Sequence, residues 1–282
     1  MTKTHPRAGV IGWPVAHSRS PIIHRSWLDA YGIDGSYDLI PVPPQEIASF
    51  LANFADSGFV GANVTLPHKE AAFAAVGERC DPAARALGAV NTIWLEDGLL
   101  YGANTDVTGF LANLDTSAPG WDRDAGPALV LGAGGAARAI VHGLASRGFA
   151  PIHVVNRTEE KAEAVAAQFP GVARAAAWSN IALLVPTARI IVNTTSLGMK
   201  GQPDLVIDLS RARPDAVVSD TVYVPLETPL LREARRNGLV AVDGLGMLLH
   251  QAVPGFARWF GVTPKVTPEL RDLILSDLGV AA

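Results

Sequence analysis

Lys69 closes the run Asn63-Val64-Thr65-Leu66-Pro67-His68-Lys69, at the expected start of a helix over 67–76. Proline favours a first helical turn, and the helix dipole disfavours a cation there. The chain writes lysine only at positions 3, 69, 161, 200 and 265, against eighteen arginines. An ammonium in an unfavourable place, in a Lys-poor chain, reads as a working amine that can give up a proton, which Arg cannot. The plain alternative is a long side chain reaching water. In Asn104-Thr105-Asp106, Asp106 either caps the following helix or orients Lys69. Ser18 and Ser20 precede Pro21, so Ser20 is a natural N-cap and Pro21 a natural first helical residue. The same serines with free N–H groups also suit a carboxylate-sized anion pocket. Met247 and Gln251 are spaced to share one helix face, where the Gln251 amide needs a partner such as a substrate hydroxyl. His68 reads as structural or exposed and His250 as a core or rim residue, neither as a ligand.

A second constellation suits a dinucleotide. Gly132-x-Gly134-x-x-Ala137 follows an apolar run, 128–131, and opens a helical stretch. The first glycine allows the tight turn, the second admits a pyrophosphate, and the small third residue lets helix and strand pack. The helix start offers N–H groups to phosphate. The next strand ends in Val155-Asn156-Arg157-Thr158 with no acid for a ribose 2′-hydroxyl. Arg157 can pair with a 2′-phosphate instead, with Lys161 one turn on, so NADP(H) is expected rather than NAD. The plain alternative is a solvated pair at a helix start, where the dipole prefers acids.

To position these groups the chain alternates strands and helices. Strands are expected over 8–12, 37–42 and 58–64, helices over 21–31, 45–54, 67–76 and 81–87, and an antiparallel hairpin over 90–95 and 99–102. A second pattern has strands over 128–131, 152–155, 189–193 and 216–220, with helices running to about 147 and over 159–169. The class is α/β with mainly parallel sheets. The Gly-, Pro- and Asp-rich segment 117–127 reads as the connection between the halves. Two modest domains fit 282 residues, and 49% hydrophobic with 18% charged residues supports real cores. A net charge of −4 gives no basic footprint for nucleic acid. The start shows no secretory signal, and no apolar stretch of about 18 residues suggests a membrane span. Cys80 alone forms no internal disulfide and no Cys-based zinc site, so a cytoplasmic protein without metal is expected.

Taken in order, the motifs H-S-x-S-P (17–21), N-V-T-x-P-x-K (63–69), G-A-V-N-T (88–92), N-T-D (104–106), G-A-G-G-A (132–136), N-R-T (156–158), N-T-T-S-L-G-M (193–199) and G-x-G-M-L-x-x-Q (244–251) resemble the shikimate dehydrogenase family. The resemblance implies a mainly parallel-sheet substrate domain, 1–103 plus 246–282, and a Rossmann-type NADP-binding domain, 104–245, around a cleft. It implies reversible NADP-dependent reduction of 3-dehydroshikimate to shikimate, in aromatic amino acid and chorismate biosynthesis. Lys69 and Asp106 would flank the C3 oxygen. Ser18 and Ser20 would hold the substrate carboxylate, with Tyr223 near it. Thr65, Asn91 and Gln251 would bind its hydroxyls or ring face. Gly132, Ala133, Gly134, Gly135 and Ala136 would take the pyrophosphate, and Asn156, Arg157, Thr158 and Lys161 the adenosine 2′-phosphate. Thr194, Ser196, Met199, Val222, Gly244 and Met247 would be nicotinamide-side contacts. Trp13 and Arg25 depart from the family pattern, outside the catalytic roles. A quinate or aminoshikimate dehydrogenase, or a non-catalytic metabolite sensor, is the alternative on this scaffold. The partner is a small-molecule substrate, and the protein a monomer or homodimer.

Overall fold

The computed structural model describes residues 5–280; Lys3 and the first four residues lie outside them. The chain divides into two compact units, Met1–Asp106 with Leu249–Ala282, and Val107–Leu248.

In the first unit the described residues form a five-stranded sheet from β1 (Arg7–Gly12), β2 (Ser36–Pro41), β3 (Gly61–Val64), β4 (Thr92–Glu96) and β5 (Leu99–Ala103), in the order β2-β1-β3-β4-β5. The first three strands are parallel, and β3, β4 and β5 pair antiparallel in succession. The β4–β5 turn takes left-handed conformations at Asp97 (φ 52°) and Gly98 (φ 75°), the pattern that matches strand twist in a two-residue hairpin. The register sets Asn63 opposite Thr92, and Thr92 opposite Ala103. The ends of β3, β4 and β5 therefore lie together, and the polar runs that follow or precede them converge. The helix Ala252–Phe260 returns to this sheet, where the Trp259 indole donates to the Ile93 carbonyl at 3.0 Å. Gly61 makes room for it, since a Cβ there would lie 2.0 Å from Trp259 Nε1.

The second unit carries β6 (Ala128–Leu131), β7 (Ile152–Val155), β8 (Ala173–Ala176), β9 (Ile190–Asn193), β10 (Val217–Asp220) and β11 (Val240–Val242). Their order is β11-β10-β9-β6-β7-β8, and each pair is parallel. This is the doubly wound order, with its switch point between β6 and β9. Every residue of β6, β9 and β10 is buried, as expected of parallel strands covered on both faces. One core, around Phe110, Ile140 and Val192, lies on one face, and another, around Leu129, Ile191 and Leu231, on the other.

Several local expectations change. Arg19 adopts helical φ and ψ (−88°, −6°), so it takes the N-cap position of the helix Ser20–Ala30 and Ser20 becomes helical without capping. The Pro67 helix begins at Lys69, with His68 as N-cap. The stretch 45–54 is a helix over Ile47–Ala52 followed by a short 3-10 turn, Phe54–Ser57. Segment 117–127 does not join the units; it links the helix Thr105–Ser117 to β6 inside the second one. It looks like a linker by composition but is tied down. Trp121 is buried and stacks on Phe149, and Arg147 bonds both Asp115 and Asp122 at 2.6 Å. Met247 and Gln251 do not share one helix. The helix Leu245–His250 ends before Gln251, which is the N-cap of the next helix.

Candidate active site

In the first unit, the polar groups gather at the carboxyl ends of β1 and β3 and the start of β4. Gly12 and Thr65 close these strands side by side; the Thr65 N–H donates to the Ile11 carbonyl at 2.8 Å, and a Cβ on Gly12 would lie 2.6 Å from Thr65 Cγ2. Half-buried Ser18 accepts the Ser20 N–H at 3.3 Å, and Ser20 is buried. The Ser18 hydroxyl hydrogen is therefore left to donate elsewhere.

Lys69 and Asp106 meet. Lys69 Nζ donates to Asp106 Oδ2 at 2.5 Å, with side chains 27% and 18% exposed, so the pair is shielded yet reachable. Each helix start contributes: Lys69 opens the helix Lys69–Val76 against its dipole, and Asp106 sits in the first turn of the helix Thr105–Ser117, where the dipole favours negative charge. Asp106 does not cap its helix: it lies inside the first turn, where Asn104 Oδ1 accepts the Asp106 N–H at 3.2 Å, and its carboxylate turns to Lys69 instead. Asn91 Nδ2 donates to the other carboxylate oxygen, Oδ1, at 2.9 Å. Asn91 Oδ1 accepts the Thr105 N–H at 2.7 Å, which fixes the orientation of the amide. His68 is structural, its Nε2 2.7 Å from the Val42 carbonyl. His250 is half-buried, and burial lowers its pKa. Gln251 belongs to this unit with Ser18, Ser20, Thr65, Lys69, Asn91 and Asp106.

In the second unit the expected cofactor residues lie at the carboxyl ends of its strands, where ligands bind in open α/β sheets. Gly132 follows β6 with φ +108°, and a Cβ there would meet Thr194 Oγ1 at 2.5 Å. Thr194 follows β9 and donates to the Leu131 carbonyl at 2.8 Å, so the two strands of the switch point are laced at this glycine. Gly134 is the N-cap of the helix Gly135–Ser146, and a Cβ on Gly134 or Gly135 would touch nothing within 4 Å. Ala133 and Ala136 flank them half-buried, while Ala137 is fully buried against the sheet. The turn is thus tight below and open above, which fits a pyrophosphate. Asn156 Nδ2 donates to the Thr158 carbonyl at 2.9 Å, shaping the turn after β7. Arg157 and Lys161 are exposed and make no ion pair among the described residues.

Ser196 and Met199, exposed, and Val222, buried, lie in the loops after β9 and β10, which the Lys200 N–H joins by donating to the Val224 carbonyl at 2.8 Å. Gly244 packs on the second loop; a Cβ there would lie 2.4 Å from the Thr221 carbonyl oxygen. Met247 packs against the core on the Phe110 face. Tyr223 lies in this unit too, not in the one that holds Ser18 and Ser20.

The sequence reading left Asp220 and Asn193 without roles. Asp220 is fully buried and accepts three bonds: from Asn193 Nδ2 at 2.9 Å, the Val222 N–H at 3.0 Å and Thr228 Oγ1 at 2.7 Å. Burial pushes its carboxyl above the usual range, and these donors oppose that. Asn193 Oδ1 in turn accepts from the N–H and hydroxyl of Thr195. The signal was present: each is a polar residue ending an apolar parallel strand. No cluster of His, Cys, Asp and Glu among the described residues could hold a metal. No helix among them is long and apolar enough to cross a membrane.

Residues 10–93 match the shikimate dehydrogenase substrate binding domain, 122–211 the shikimate/quinate 5-dehydrogenase domain, and 244–268 the shikimate 5′-dehydrogenase C-terminal domain. A shikimate dehydrogenase (NADP(+)) from Azorhizobium caulinodans is 58% identical over 272 residues, 96% of each chain. The chain belongs to the shikimate dehydrogenase family. Its two-domain α/β architecture is the family's. Shikimate 5-dehydrogenase from Thermus thermophilus, solved in complex with NADP(H) and shikimate, superposes with a TM-score of 0.82 at 36% identity, covering 97% of this chain and 99% of that one. A quinate dehydrogenase from Corynebacterium glutamicum in complex with NAD superposes with a TM-score of 0.88 at 30% identity, covering 96% and 99%.

Proposed function

We propose that this shikimate dehydrogenase homologue catalyses reversible NADP-dependent reduction of 3-dehydroshikimate to shikimate, with Lys69 and Asp106 serving the C3 oxygen and its proton. The observation that carries the reading is the shielded Lys69–Asp106 pair with Asn91 on the second carboxylate oxygen. When bound, NADPH supplies the hydride. Carbonyl reduction builds negative charge on the C3 oxygen, and the Lys69 ammonium neutralises it and gives it a proton. Asp106 holds Lys69 in place and retains a counter-charge when the proton has moved. Ser18 and Ser20 hold the substrate carboxylate, with Tyr223 near it. Thr65, Asn91 and Gln251 take the substrate's hydroxyls or ring face.

The glycine turn Gly132–Ala136 takes the pyrophosphate, and Asn156, Arg157, Thr158 and Lys161 surround the 2′-phosphate. Thr194, Ser196, Met199, Val222, Gly244 and Met247 line the nicotinamide side. Along the chain, 1–103 plus 246–282 carries most of the substrate duties and 104–245 most of the cofactor duties, with Asp106 and Tyr223 in the second stretch and Met247 in the first as exceptions. A cytoplasmic monomer or homodimer, with no nucleic acid or membrane partner, completes the reading; the lone Cys80 supports a reducing compartment.

Steady-state kinetics with shikimate and quinate, each with NADP and NAD, tests the assignment. The highest kcat/KM is expected for shikimate with NADP. A preference for quinate with NAD, the pair suggested by the Corynebacterium structure, would overturn it.

A further inference from the structure

Beneath the candidate catalytic pair, a chain of buried hydrogen bonds runs back into the core of the first unit. Tyr37, fully buried, donates its hydroxyl to Asn63 Oδ1 at 2.6 Å. Burial pushes this phenol well above its ordinary range, so the hydroxyl keeps its hydrogen. With Oδ1 engaged as acceptor, the Asn63 NH2 points the other way. It donates to Thr92 Oγ1 at 3.1 Å and to the Asn91 carbonyl at 3.4 Å. Thr92 Oγ1 then has one hydrogen left to give. Its reach is Thr105 Oγ1 at 3.1 Å and Asn91 Oδ1 at 3.2 Å. Thr105 Oγ1 also lies 3.1 Å from Asn91 Oδ1. Asn91 Oδ1 accepts throughout, and Asn91 Nδ2 passes the polarity on to Asp106 Oδ1.

Each member therefore donates toward the Asp106 carboxylate. The sense is fixed by chemistry at both ends: a phenol with one hydrogen at one end, and at the other a carboxylate that only accepts. Tyr37, Asn63, Thr92, Thr105 and Asn91 are all at most 5% exposed, so water does not substitute for a lost member. In a dry interior such bonds polarise one another, and a broken link leaves a buried donor or acceptor unmade. The strand register explains how the chain assembles, because Asn63 stands directly opposite Thr92 across β3 and β4.

We propose that Tyr37 and Thr92 are positioning residues for the reaction: through Asn63 and Thr105 they form a one-way hydrogen-bond relay that holds the Asn91 amide against Asp106. This rests on the reading of Lys69 and Asp106 given above. The relay saturates Asn91 Oδ1 and commits one Nδ2 hydrogen to Asp106, leaving the other for a substrate hydroxyl. Neither Tyr37 nor Thr92 needs to touch substrate or cofactor to act in this way.

The test uses Thr92→Val, which keeps the shape of the side chain and removes the hydroxyl, with Thr92→Ser, Tyr37→Phe and the Tyr37→Phe/Thr92→Val double variant of the full chain. Thr92→Val is expected to lower kcat for shikimate on the order of tenfold, the value of one charge-coupled bond, with the KM for NADP unchanged. Thr92→Ser restores most of the loss. Because the two residues act in series, the double variant loses no more than the worse single one. Lys69→Ala, run alongside, separates the two claims: wild-type turnover there would remove the reading on which the relay rests. If Lys69→Ala is inactive, three results would each overturn the relay itself. These are wild-type kcat in Thr92→Val, a Thr92→Ser loss as large as that of Thr92→Val, or losses that multiply in the double variant.

Discussion

His24 sets an acid limit on the first unit. Its ring is fully buried, stacks on Tyr37 at a centroid distance of 4.0 Å and lies among Trp27, Phe256 and Trp259. Neither ring nitrogen has a hydrogen-bond partner. Burial lowers its pKa from 6.5 to about 3, against a smaller opposing pull from the nearby Asn63 amide. The folded state thus keeps His24 neutral, while the unfolded chain takes up a proton below pH 6.5. Stability is therefore full above that value and is lost as pH falls toward 3, at about 1.4 kcal/mol per pH unit. Over the whole window this one residue removes on the order of 4–5 kcal/mol, a large part of an ordinary domain's stability. His24→Phe keeps an aromatic ring in the stack and abolishes the titration. Urea unfolding monitored from pH 7 to pH 4 is expected to show a shallower loss in His24→Phe than in the wild type, by about one proton's slope. Parallel slopes for the two proteins would refute the reasoning, as would a His24 imidazole resonance, assigned by its loss in His24→Phe, titrating near 6.5 in the folded protein.

Two predictions concern the second unit. Arg157→Ala is expected to raise the KM for NADP about 10–100-fold while leaving that for NAD within about twofold, because it removes a charged bond to the 2′-phosphate alone; equal effects on both cofactors in steady-state kinetics would count against it. Asp220→Ala strands three donors, the Asn193 amide, the Val222 N–H and the Thr228 hydroxyl. At about 1–3 kcal/mol for each unmade buried bond, a loss of roughly 3 kcal/mol or more is expected in chemical denaturation, with a raised KM for NADP.

Much of the candidate site was legible because its signals are local. The glycine turn needs only a strand, a turn and a helix start in sequence order, and Lys69 stood out by its place after Pro67. Where the reading missed, residue type and composition did not decide the outcome. Ser20 looked like a cap because its type suits one, but Arg19 took the cap position, so the helix starts one residue earlier. Segment 117–127 looked like a linker because composition does not show that Trp121 meets Phe149. The apolar pattern through Met247 hides the helix break at Gln251. The relay could not be read at all, since Asn63 and Thr92 meet only through the register of β3 and β4, 29 residues apart in sequence.

The central claim is that Lys69 neutralises and protonates the C3 oxygen while Asp106 holds it there. The most direct measurement is kcat for NADP-dependent shikimate oxidation by Lys69→Ala, with cofactor binding checked separately. The account predicts a fall of about 100-fold or more at an unchanged Kd for NADP. Near-native turnover would contradict it.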